Sequence, residues 1–102
     1  MTDKVLVSVG YIVVGWYCGV PYILDTTGNF SWQFGDGVSV KVYREVVYAK
    51  ECADEVWDGY SFDNVKVYKV FIGDEVGIDV VREWENGTER GIRLIYDVLT
   101  DN

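Results

Sequence analysis

Apolar residues occupy both alternating registers from Lys4 to Val14, so this stretch predicts a strand covered on both faces or running centrally in a sheet. Trp16 to Leu24 is a second β-prone run, with Pro21 suited to a sheet edge or a strand start. Thr26-Thr27-Gly28-Asn29 has turn composition. Beyond it, Phe30 to Phe34 and Val38 to Val42 alternate around Gly35-Asp36-Gly37, the pattern of a hairpin burying Phe30, Trp32, Phe34, Val38, Val40 and Val42. The period then lengthens. Val46, Ala49, Ala53, Val56 and Trp57 recur at helical spacing, which predicts one helix over Glu45 to Trp57, ending near Asp58-Gly59. Strand patterning returns over Asn64 to Ile72, with a turn at Gly73-Asp74-Glu75 and a second strand over Val76 to Glu85. Asn86-Gly87 is a type I′ hairpin signal that returns the chain as Thr88 to Val98, opposing Glu83 to Arg90 across the strands.

Two of these stretches are copies of one another. Residues 22–46 align with residues 60–84 so that Tyr22/Tyr60, Asp25/Asp63, Gly35/Gly73, Asp36/Asp74, Val38/Val76, Val42/Val80, Arg44/Arg82 and Glu45/Glu83 are identical pairs. Chance in a valine-rich chain supplies about two. The pairs Phe30/Tyr68, Trp32/Val70, Phe34/Ile72 and Val40/Ile78 keep apolar character in the same register. The expected architecture is therefore one domain over 1–102, α+β and mainly antiparallel, in which two tandem β motifs pack about a pseudo-two-fold axis beside one helix. Such a seam is concave, and Trp84, Arg44 and Arg82 are the candidate binding residues on it: the tryptophan as apolar anchor, the arginines as donors to carboxylates or carbonyls.

Composition narrows the partners. An apolar share of 49% in 102 residues suffices for a core without metal or disulfide. The net charge of −8 opposes direct binding to a phosphate backbone, and it is concentrated after residue 51. Cys18 and Cys52 lack the spacing of a redox pair or zinc knuckle, so the default is two buried thiols in a reducing, cytoplasmic setting. The uncharged run from Val5 to Leu24 has the length of a membrane span. Its glycines, Pro21 and β-branched bias favour two buried strands joined near Gly15 instead.

Chemistry-bearing constellations are few. The chain has no histidine, which removes the commonest general base and metal ligand. Asp36 and Asp74 sit in repeated turns, where aspartate caps the local backbone. Glu51, Asp54, Glu55 and Asp58 make a solvated helix face rather than a cation site. No catalytic residue, metal or cofactor is expected. Aromatic residues make up 16% of the chain, more than a core of this size needs, and a surplus of Trp and Tyr suits a protein-binding face.

The duplicated Tyr-x-x-Asp and Gly-Asp-x-Val-x-(Val/Ile)-x-Val-x-Arg-Glu segments, with the Val/Tyr/Trp-rich composition, resemble the small orphan proteins of hyperthermophilic archaeal viruses, those of Acidianus filamentous viruses in particular. The resemblance implies a non-enzymatic viral accessory protein in the host cytoplasm, acting on other proteins. The function expected is binding of an extended peptide or partner strand in the groove between the repeats. The alternative is an acidic nucleic-acid mimic that inhibits a host DNA-binding enzyme.

Overall fold

The computed structural model describes residues 4–31, 39–84 and 91–101. In chain order these form β1 (Lys4–Val7), β2 (Gly10–Tyr17), β3 (Val20–Leu24), β4 (Phe30–Ser31), α1 (Val46–Gly59), β5 (Asn64–Val70), β6 (Asp74–Gly77), α2 (Ile78–Glu83), β7 (Ile92–Asp97) and α3 (Val98–Asp101). The fold is α+β. A five-stranded sheet in the order β4-β3-β2-β5-β7 is antiparallel throughout, and β1 pairs with β6 in a separate antiparallel ribbon.

The apolar density of the N-terminal run explains its position. Strand β2 is central: Ile12, Val14 and Trp16 join a cluster with Ile23, Tyr68, Val70, Val81, Trp84 and Ile92, while Val13 joins a second cluster with Val65, Val67, Ala49, Ala53, Val56 and Tyr96. The sheet is thus buried on both faces, α1 on one and α2 with the ribbon on the other. The run is nevertheless two strands, because the chain bends at Ser8-Val9 and β1 leaves for β6. At the bend Gly10 has φ +145, and a Cβ there would collide with Val42 Cγ1 and lie 2.9 Å from the Tyr43 carbonyl oxygen.

The junction expected near Gly15 lies at Cys18-Gly19, whose φ of 52° and 76° make a two-residue hairpin turn. Gly15 is mid-strand, and its missing side chain admits the Phe62 ring, 2.6 Å from where a Cβ would stand. Pro21 is the second residue of β3, before β4 begins to pair at Ile23 and Leu24, so its missing N–H interrupts nothing on that side. The uncharged stretch of span length is spent on β1, β2 and β3, and no described helix is long and apolar enough to cross a membrane.

The expected 30–42 hairpin is only partly in view, since residues 32–38, with Trp32, Phe34 and Asp36, lie outside the described residues. The returning segment wedges between the diverging ends of β2 and β3. Thr26 N–H donates to Ser39 O (2.8 Å) and Lys41 N–H to Leu24 O (2.9 Å), while Tyr43 and Tyr11 exchange both backbone bonds at 2.8 Å. The apolar face expected of this hairpin is divided between the two cores: Val40 and Val42 belong to the α2 side, and Phe30 packs on the α1 side.

Helix α1 matches its predicted span, with Ala49, Ala53 and Val56 as the buried stripe. The strand expected over Val76 to Glu85 does not form. Its start is β6, and Ile78–Glu83 is α2, because Val81 and Trp84 reach the core at i, i+3 spacing while Val80 is 46% exposed. Strand β7 accordingly pairs with β5 instead of returning along 76–85, with a bulge at Val67/Tyr68 that sends Leu94 to one core and Tyr96 to the other. Glu83 sits on α2, and Asn86, Gly87 and Arg90 lie outside the described residues.

At the described positions the two sequence copies therefore adopt different structures: Val40-Lys41-Val42 is extended and Ile78-Asp79-Val80 helical, and Phe30-Ser31 is a short outer strand whereas Tyr68-Lys69 is in the sheet interior. A pseudo-two-fold pair of β motifs is not seen there.

Candidate binding face

Of the three residues expected at a groove, Trp84 is 3% exposed. Its ring lies 5.9 Å from that of Tyr68, and its carbonyl accepts the Tyr68 hydroxyl at 3.0 Å. It is a core residue, because the helical turn of α2 swings it inward where a strand would have left it at a seam. Arg82 is exposed on α2 and Arg44 exposed in the link into α1, so they sit on elements that pack against opposite faces of the sheet and do not form a pair.

The structure assembles a different surface on the α1 side. It begins at Asp25, whose carboxylate accepts Thr27 N–H (3.0 Å), the Thr27 hydroxyl, Asn29 N–H (3.0 Å) and the Ser31 hydroxyl (3.1 Å). The Thr27 hydroxyl above all holds the carboxyl below the usual aspartate value; burial opposes it, and the Asn29 amide, the Thr27 amide and the Ser31 hydroxyl add to the lowering. Its duplicate, Asp63, accepts Cys18 N–H at 2.7 Å and so ties the β2–β3 turn. Both copies hold backbone, as aspartates in turns do.

Past this turn, a cleft of about 240 Å³ opens between Leu24, Phe30 and Tyr43 on the sheet side and Cys52, Val56 and Tyr60 on the helix side, with Asp25, Thr26 and Lys41 among its polar lining. Phe30, Tyr60, Phe62 and Tyr22 form a continuous ring cluster, with centroids 5.1 to 5.7 Å apart. Tyr60 is about half exposed in it. The Tyr43 phenol is pushed up to about 12 by burial first, then by its hydrogen bond with Cys52 and the nearby Cys52 and Glu55 charges. It is neutral at physiological pH. Cys52 and Cys18 are free thiols, and Cys18 is exposed in its turn rather than buried.

From Tyr43 the surface continues across the sheet. Tyr43 is bridged to Tyr11, Tyr11 is opposite Lys69, and Lys69 is opposite Arg93. These four residues make one transverse row about 14 Å long. Lys69 Nζ is 5.6 Å from the Tyr11 ring centroid and 5.1 Å from that of Phe71, which is 50% exposed, and Lys41 Nζ lies 5.3 Å from the Tyr43 ring. On the same side Lys50 Nζ is 5.4 Å from the Tyr96 ring.

With Asp25 committed to its own turn and Tyr43 held neutral, the arrangement suits recognition: apolar walls, a few polar groups at the mouth, and cations set on aromatic faces. Among the described residues no group of three or more Cys, Asp or Glu is placed to hold a metal ion. The aromatic surplus was the sequence signal for this face. Its members are distant in sequence and meet only through strand register. The chain matches no protein-family model, no curated protein and no solved structure.

Proposed function

We propose that the protein is a non-catalytic binding protein that captures an extended segment of another protein, seating one apolar side chain in the cleft between α1 and the Asp25–Phe30 turn. The cleft carries this reading. Its volume of about 240 Å³ is below that of a typical small-molecule site and matches a single large side chain, the form in which protein interfaces concentrate their binding energy. The sequence resemblance to archaeal viral proteins supports an accessory role in a host cytoplasm. In this reading the internal duplication is ancestral, its copies having diverged in fold, and the groove between like halves gives way to the α1 cleft. The mimic alternative draws less support: Glu51, Glu55 and Asp58 are exposed on α1, whereas Glu75 and Glu83 are exposed on the ribbon and α2 across the sheet, so these acids do not form one row.

The test is a titration of labelled protein with short extended peptides carrying a central tryptophan, leucine or serine. Amide shifts at Thr26, Phe30, Cys52 and Tyr60 are expected for the apolar centres and not for serine, and Thr26→Trp, which fills the mouth from an exposed position, should abolish them. Shifts confined to the α2 side, or unaffected by Thr26→Trp, would refute the cleft.

A further inference from the structure

Resting on that reading, we infer that the segment captured is acidic beside its apolar anchor, and that Lys69 and Arg93, with Lys41, are the residues that select it. The chain has 17 acidic and 9 basic groups, so a cation drawn at random has carboxylates to spare. Yet Lys69 and Arg93 are placed directly opposite one another on β5 and β7, where like charges repel, and among the described residues neither has a carboxylate partner. Lys41 is exposed at the cleft, two residues before Tyr43, and its Nζ reaches over the Tyr43 ring at the end of the row. Two of the three cations are held in place by rings, since Lys69 sits between Tyr11 and Phe71 and Lys41 over Tyr43. Aromatic faces orient a cation without neutralising it, which leaves full charge for a ligand. A row about 14 Å long spans roughly four residues of extended chain, so an anchor in the cleft and carboxylates over Lys69 and Arg93 fit one continuous segment. The net charge of −8 supplies the reason for the selectivity: elsewhere the surface repels acidic chains, and this row is where it accepts one.

The experiment uses fluorescent peptides with one central tryptophan flanked on one side by glutamates, glutamines or lysines, together with a single-stranded oligothymidine as a non-protein polyanion. At low salt the glutamate peptide should bind about tenfold more tightly than the glutamine peptide, the scale of two exposed charge pairs. That advantage should vanish in Lys69→Gln/Arg93→Gln and at high salt, the glutamate and glutamine peptides then binding alike. Arg93→Glu alone, at an exposed position, should likewise abolish the preference, and unchanged thermal melts establish that the variants are folded. Equal binding of the glutamate and glutamine peptides, both blocked by Thr26→Trp, would overturn this inference while leaving the cleft reading intact. Binding of no peptide overturns both. Oligothymidine bound in place of the glutamate peptide, and lost in the double variant, would overturn it in favour of a nucleic-acid face.

Discussion

Replacing Trp84 with alanine distinguishes a core tryptophan from a binding anchor. The side chain is 3% exposed and packs with Val81, Tyr68 and the rest of the α2-side cluster. An aromatic of this kind withdraws about 150–250 Å² from water, worth about 4–6 kcal/mol at about 25 cal/mol per Å². Alanine retains part of that and the vacated space is only partly refilled, so a loss of about 3–5 kcal/mol is expected. Against the roughly 5–15 kcal/mol available to a domain of this size, that is severe, corresponding to a fall in Tm on the order of 15–30 °C. Two consequences separate this from a general defect. Trp84→Phe keeps a ring against Tyr68 and should recover more than half of the loss. Because Val81 and Trp84 are buried where α2 meets the sheet, the alanine variant should also lose protection at α2 amides before β2 and β5 amides in native-state hydrogen exchange. Urea melts followed by circular dichroism measure the first, exchange the second. A loss under about 1 kcal/mol, with peptide binding abolished, would place Trp84 on the surface and refute the helical reading of residues 78–83.

Two further outcomes follow from local geometry. The Tyr43 phenol ionises at about 12 in the folded protein against 10.0 unperturbed, so its contribution to stability is complete below pH 10 and is lost as pH rises from 10 through about 12; tyrosinate absorbance should show a late-ionising component that Tyr43→Phe removes, and Tyr43→Phe should flatten the alkaline decline. Gly10→Ala places a side chain at φ +145 against Val42 and the Tyr43 carbonyl, and should cost more than about 2 kcal/mol in denaturant melts, whereas Gly28→Ala, with open space around it and only its positive φ to strain, should cost less.

The elements legible in the sequence are those whose signal is long or double. β2 declares itself because apolar residues fill both parities, and only a strand with two covered faces uses them. α1 declares itself because Ala49, Ala53 and Val56 recur at helical spacing over two turns of a 14-residue helix. α2 was illegible because six residues carry too little period: Val76, Ile78 and Val80 satisfy an alternation, and Val81 with Trp84 satisfies a helix equally well. Tertiary burial decided between them. The duplication misled for a related reason. Shared residues record ancestry, while structure follows the partners each copy meets, and Tyr68 and Phe30 meet different ones. The binding face was legible only as an excess of aromatics, since Tyr11, Tyr43, Lys69 and Arg93 become neighbours through pairings that no local pattern encodes.

The pairing of β2 with β5 bears on how the chain folds. Trp16 meets Asn64, and Gly10 meets Val70, across about half the chain, whereas β2 and β3 meet across two residues. The β2–β3 hairpin can close on the microsecond scale, but the central seam of the sheet must wait for a long loop to close at an entropic cost. The intervening helix α1 spans 14 of those residues and, once formed, shortens the search and delivers Ala49, Ala53 and Val56 to the face where β5 will dock. Until that docking the apolar edge of the hairpin stands unpaired, so the interval between hairpin and seam, not the native state, is when the chain is most open to association with its own copies.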